Sequence, residues 1–192
     1  MNARENPFAS SWVEAIPFVF PENDGWNVLI ARLFHHGWRA SIIGPHGTGK
    51  TTLLEQLVPH LAGLGFKPRL VTLNTTSSLG EKFCLIKAVR GLGSRDFLLL
   101  DGAEQLLPGQ FFLLEVIGRK CGGLLITRHR RGPLPVVFET NPTPALLRGL
   151  IARLTGRIPS EKESSALLTR HRLSIRDCFR ELYDRAAHAS ED

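Results

Sequence analysis

Eight consecutive residues carry the clearest chemistry in this 192-residue chain: Gly44, Pro45, His46, Gly47, Thr48, Gly49, Lys50 and Thr51. They fit the pattern G-x-x-x-x-G-K-[ST], between a short apolar run at 40–43 and a helix-like segment at 51–64. A loop of this kind suits a nucleoside triphosphate, whose charges have to be desolvated on one side. Backbone N–H groups turned inward and closing on a helix N-terminus supply donors and a favourable dipole together. The glycines at 44, 47 and 49 let the backbone come close and take positive φ. Lys50 then reaches the outer phosphates, the Thr51 hydroxyl ligates Mg²⁺, and Thr52 completes the binding set. Pro45, His46 and Thr48 need only offer backbone, so His46 is assigned no reactive role.

A second group complements the first. The run Phe97, Leu98, Leu99, Leu100 ends at Asp101, an apolar strand buried on both faces that delivers a carboxylate able to orient Mg²⁺ and its waters. Farther on, Thr127 closes another apolar run, and Arg128, His129, Arg130 and Arg131 follow it as a basic cluster. The arginines would serve either a phosphate of the nucleotide or the backbone of a nucleic acid.

The elements that must hold these residues can be read from the spacing. Apolar runs at 40–43, 69–73, 97–100, 124–126 and 135–138 alternate with helix-like segments at 51–64, 80–92, 107–120 and 144–154, as a parallel sheet with right-handed crossovers requires. Ahead of the first strand, Trp26, Leu29, Ile30, Leu33 and Phe34 recur at helical spacing, with Asn23 or Asp24 available as N-cap and Gly37 as the stop. Residues 1–24 read as an irregular arm, frayed at its start and anchored by Trp12, Phe18 and Phe20. Two helical patterns, at 159–171 and 174–187, follow the last strand, and 189–192 reads as loose. The domain reading is an arm at 1–25, a core at 26–156 and a small helical lid-like part at 157–192.

Composition narrows the class. Hydrophobic residues at 43% and charged residues at 22% are ordinary for a globular chain, which argues against disorder. Neither a membrane-spanning run nor a signal-peptide plan is seen, so a cytoplasmic location is expected. Cys84, Cys121 and Cys178 are scattered and lack metal-ligand spacing, and so are expected to be buried thiols. His35 and His36 at a helix end suit the C-terminal dipole better than a metal. The net charge of +6 permits nucleic-acid binding without requiring it.

With the glycine-rich loop and the Asp101 strand together, residues 26–183 resemble the ASCE division of P-loop NTPases, and more closely the AAA+ and STAND-type ATPases. The resemblance implies a three-layer α/β fold, with a five-stranded parallel sheet of order 5-1-4-3-2 and a C-terminal helical subdomain. It also implies an ATPase using ATP and Mg²⁺, with Lys50, Asp101 and Thr127 in catalysis, Thr51 and Asp101 at the metal, and Thr127 as the sensor of the γ-phosphate. Leu173, Ser174, Ile175 and Arg176 resemble the second-sensor signature, which would bring Arg176 to the phosphates while Ser174 caps its helix. The helix before the first strand would flank adenine. Where the family carries its catalytic glutamate this chain has Gly102, which leaves Glu104 as the carboxylate that could stand in.

The expected function is a nucleotide-dependent switch. An ATP-binding module with little turnover and a small-molecule phosphotransferase are the alternatives. Adenine is preferred to guanine because no N-K-x-D base-reading pattern appears. The partners implied are ATP and ADP, with a protein partner or a second copy as the reader of the switch.

Overall fold

Strand β3, Asp96–Asp101, is the centre of the sheet in packing terms: after its first residue every position is buried. The computed structural model describes residues 6–188, so the expected fraying of the first residues and the loose 189–192 tail lie outside it. Around β3 run β1 (Arg39–Ile43), β2 (Lys67–Thr72), β4 (Gly123–Arg128) and β5 (Val136–Glu139). All pairings are parallel and the order is β2-β3-β4-β1-β5, which is the expected 5-1-4-3-2 order read from the other edge.

The helices follow in chain order: α1 (Ser10–Glu14), α2 (Trp26–His35), α3 (Lys50–Gly63), α4 (Leu79–Val89), α5 (Pro108–Ile117), α6 (Pro144–Thr155), α7 (Glu161–Arg170) and α8 (Ile175–His188). The chain forms two compact units, one of Phe20–Gly44 with Leu53–Glu139, the other of Met1–Val19, Pro45–Thr52 and Thr140–Asp192.

The first unit holds the sheet. Because side chains alternate along a strand, Leu98 and Leu100 share a face with Leu124 and Ile126, and that face packs on Leu85 and Val89 of α4 and Phe111 and Leu114 of α5. The opposite face, with Ala40, Ile42, Phe97, Leu99 and Leu125, is equally dry. The fully buried Leu29 and Leu33 of α2 and Leu53, Leu54, Leu57 and Leu61 of α3 remain to cover it. Edge strand β2 is the exception, mostly exposed and starting two residues earlier than its apolar run suggested, with Pro68 inside it. An edge strand tolerates proline because part of its backbone has no ladder partner.

Several local expectations change. Neither Asn23 nor Asp24 caps α2: Asn23 takes φ +66, Asp24 lies 2.9 Å from the Arg32 guanidinium, and Gly25 stands at the cap without a side-chain bond. Helix α4 begins at a capping box in which Ser78 and Glu81 bond each other's backbone, and it ends at Val89 rather than 92. Cys84, expected inside, is exposed, whereas Cys121 and Cys178 are buried.

The second unit is built on α6, α7 and α8. Its core of Leu147, Leu150, Ile151, Leu167, Leu168, Cys178 and Phe179 also takes in Phe8, Val13, Ile16 and Val19 from the arm. The arm is therefore not irregular throughout: α1 lies within it, and its apolar residues belong to this core. Trp12, read as an anchor, is 55% exposed; Asn6 and Phe8 do the anchoring, Asn6 Nδ2 donating to the Tyr183 carbonyl at 2.9 Å and Phe8 stacking on Phe179. Burial, with Glu181 and Asp177 nearby, pushes the Cys178 thiol up to about 11, so it is an inert core group.

A central-strand truncation and an edge-strand truncation should differ sharply. Leu100→Ala is expected to lower unfolding free energy by about 2–5 kcal/mol. Leu70→Ala, on β2 and 36% exposed, should cost less than about 1 kcal/mol. Urea titration of the two variants reads both, and equal losses would contradict the packing described.

Candidate functional site

The glycine-rich loop begins at Gly44, whose N–H donates to the Arg128 carbonyl at 3.2 Å, one step beyond the Ile43–Arg128 pairing of β1 with β4. That bond fixes the point at which the chain leaves the sheet.

Within the second unit the loop then closes on itself. Lys50 Nζ donates to the Pro45 carbonyl at 2.5 Å, and the Thr48 hydroxyl donates to the same carbonyl at 2.9 Å while bonding Thr140 Oγ1 at 2.6 Å. Thr48, Thr140 and Lys50 are buried and His46 is exposed, in keeping with a position that offers only backbone. Gly47 and Gly49 have φ of +72° and +90°. A Cβ on Gly47 would lie 2.3 Å from Ser174 Oγ and 3.1 Å from Arg176 Cβ, so glycine here permits close approach as well as the turn. Thr51 and Thr52 lie in the first turn of α3.

Arg176 is brought to the loop by its backbone, its N–H donating to the Gly47 carbonyl at 3.2 Å. Ser174 caps α8 as expected, accepting from the Asp177 N–H at 3.2 Å. The approach is tightly shaped, since Arg172 and Leu173 both take left-handed φ, +50° and +67°. Such residues cost of order 1 kcal/mol each. The Leu173 N–H to Leu168 carbonyl and Ser174 N–H to His171 carbonyl bonds, both 2.9 Å, hold them. Glu181 braces the same corner. It accepts from His171 and Arg170 of the α7 end at 2.5 Å each, and from Arg185, and the His171 bond chiefly holds its carboxyl below the usual range.

A cavity of about 630 Å³ opens inside this unit. One wall is Gly47, Thr48, Gly49 and Thr52; another is Arg176, Arg180, Tyr183 and Asp184 of α8; the arm supplies Phe8, Pro17 and Phe18. Arg180 and Tyr183 escaped the sequence reading, although their spacing from Arg176 puts all three on one helical face. In the first unit, Trp26 of α2 stacks on His60 at 4.4 Å between ring centroids.

In the first unit the ends of β3 and β4 form a second constellation. The buried Thr127 hydroxyl donates to Asp101 Oδ1 and accepts from the Gly102 N–H at 2.9 Å. Gly102 has φ +77°, and a Cβ there would lie 2.2 Å from the Leu73 carbonyl oxygen. The backbone at this point has room for glycine alone. A 3-10 turn, Ala103–Gln105, follows and places Glu104 Oε1 3.3 Å from His129 Nε2, while Glu104 Oε2 is buried without a hydrogen-bond partner.

Two arginines of the basic cluster are also engaged locally. Arg128 lies over the Phe111 ring at 5.7 Å, and Arg131 is 3.7 Å from Glu139.

Together these features define a P-loop α/β fold: five parallel strands in the order given, a glycine-rich loop after β1, and helices at the C-terminus. No family model matches the chain, and no curated protein matches it. Among solved structures, that of PCH-2 from C. elegans is similar at 16% identity with a TM-score of 0.39, covering 68% of this chain and 46% of that one. The chain thus spans about half the length of the solved chain it matches, and a likeness of that degree says nothing of activity. No helix among the described residues is long and apolar enough to cross a membrane.

Gly102 yields a direct expectation. Gly102→Glu should lower the thermal midpoint by at least about 4 °C, since positive φ and the Leu73 carbonyl both oppose a side chain. An unchanged midpoint in a thermal scan would show that the turn accepts one.

Proposed function

We propose that this chain binds ATP with Mg²⁺ and hydrolyses it as a nucleotide-dependent switch of AAA+ or STAND-like type. The observation that carries the reading is the cavity of about 630 Å³, in which the glycine-rich loop, two arginines and an aromatic arm converge. Its size lies in the range of ligand pockets, and its mixture of apolar wall and a few convergent polar groups suits a base and sugar leading to phosphates.

In this reading the N–H groups of residues 44–52 receive the phosphates and Lys50 neutralises their outer charge. Thr51 and Asp101 would hold Mg²⁺, which would supply electrostatic stabilisation of charge on the transferring phosphoryl group. The donors suit that ion. Mg²⁺ takes hard oxygens and completes its shell with phosphate and water, and no cluster of three or more His, Cys, Asp or Glu among the described residues could cage a metal unaided. Thr127, bonded to Asp101 and Gly102, is the sensor of the γ-phosphate. Arg176, tied to Gly47, is the second sensor, so that phosphate loss loosens α8. The arm at 1–25, core at 26–156 and lid-like helices at 157–192 are the parts of this device. A protein partner or second copy would read its state. A cytoplasmic setting belongs to the same reading, since ATP is supplied there.

A second reading, ATP held with little turnover, is favoured by Gly102, where no carboxylate can stand. Titration calorimetry and steady-state hydrolysis separate the two. The wild type should bind ATP–Mg²⁺ in preference to GTP and turn it over, while Lys50→Ala should lose at least about tenfold in affinity. Binding without turnover favours the holding role, equal affinity for GTP removes the adenine preference, and unaltered binding by Lys50→Ala overturns the site.

A further inference from the structure

Helices α4 and α5 of the first unit pack beside each other over one face of the sheet, and much of what they turn away from it is apolar. Leu85 and Val89 of α4 and Leu114 of α5 point into the core. Leu79 and Phe83 of α4, and Phe112, Leu113 and Val116 of α5, are exposed, Phe83 at 52% and Phe112 at 67%. A single exposed apolar residue is ordinary, but a group of them on two neighbouring helices is the kind of patch that marks a docking surface. We infer that this face binds an acidic amphipathic helix of a partner protein; the inference does not depend on the nucleotide reading.

The helical period decides which way these side chains lie. With Leu85 and Val89 toward the sheet, Leu79 and Phe83 fall on one flank of α4; with Leu114 toward it, Leu113 falls on the opposite flank of α5 and Val116 points outward. Right-handed crossovers through the strand order β2-β3-β4 set α5 on the first of these flanks and α4 on the second. Both helices start at the C-terminal ends of the strands and run back along them, so the two sets border one strip. A strip with an apolar wall from each of two helices is the form on which an amphipathic helix lays anchors spaced i, i+3 or i+4.

Charge around the strip selects the occupant. Lys87 and Arg90 close α4, and Arg119 and Lys120 follow α5, so one end of the strip is basic on both sides. All four are exposed, and none is in an ion pair among the described residues. One cation would answer each helix dipole; two on each leave positive charge uncompensated. The carboxylates of the two helices do not offset it, since Glu81 accepts the Ser78 N–H at the far end of α4 and Glu115 lies on the flank of α5 away from α4. A second copy of the same face would set like charges together, and a lipid surface calls for cations spread around the apolar residues rather than gathered at one end. An acidic helix meets both features, its leucines or phenylalanines on the strip and its carboxylates at the basic end.

The test is selection from a random peptide display library on the immobilised full chain, without nucleotide. Selected peptides should share apolar residues at i, i+3 or i+4 spacing together with aspartate or glutamate, and a synthetic peptide of that consensus should bind more weakly as salt is raised. Phe83→Ser should lower its affinity at least about tenfold, and the double change Lys87→Glu with Arg90→Glu by a similar factor. The charge reversal, made at exposed positions, keeps the test open should Phe83→Ser fail to fold. Phe34→Ser, which removes an exposed ring from α2 of the same unit, should bind as wild type. Absence of a consensus, or a peptide that binds every variant alike, overturns the inference. So does a wild-type dimer in sedimentation that these changes dissociate, or binding to phosphatidylserine vesicles that they abolish, since the face would then serve a second copy or a membrane.

Discussion

The Thr127 hydroxyl is the joint on which the strand end of the site depends. It gives its proton to Asp101 and accepts the Gly102 N–H, so one buried group fixes a carboxylate and the backbone turn after it. The bond exists because β3 and β4 are parallel neighbours in register, Leu100 opposite Ile126, which brings the next residues on each strand together. A slip of one residue would send Asp101 to the α4–α5 face and Leu100 to the site. Register is held by burial, since Leu98, Leu100, Leu124 and Ile126 are all at or below 2% exposure on one face. The apolar core and the polar site are thus two consequences of one pairing.

A different constraint shapes the helical unit. The Gly47 carbonyl accepts the Arg176 N–H, and that requires a loop without a Cβ and a left-handed pair at Arg172 and Leu173. The strain lies next to His171, which the carboxylate of Glu181 gathers together with Arg170 and Arg185, linking α7 to α8.

The sheet was readable in the sequence because each central strand is a continuous apolar run and each crossover has helical spacing; β3 is legible from Phe97 to Asp101 without reference to its neighbours. Boundaries blurred where local polar chemistry decides them, as in the Ser78–Glu81 capping box and the shift of the α2 cap from Asp24 to Gly25. The arm misled because five residues of helix give too short a pattern to see, and because the ring that looked like an anchor, Trp12, is outside while Asn6, a polar residue, is inside. In the site, motif residues announce themselves by spacing along the chain. Arg180 and the Glu104–His129 pair do not, since what joins them to the rest is a fold contact or a shared helical face. Gly102 falls between: its departure from the pattern of the ATPases the sequence resembles is plain in the sequence, but the Leu73 carbonyl that opposes a side chain there is visible only in the fold.

The central claim is that nucleotide phosphates sit on the backbone of the glycine-rich loop and are felt by α8. Amide hydrogen exchange of the full chain, with ATP–Mg²⁺ and with adenosine, tests it most directly. The account predicts slowed exchange at residues 44–52 and around 174–180 with ATP–Mg²⁺, and little change there with adenosine. Equal protection by both ligands, or protection that leaves the loop unchanged, would contradict it.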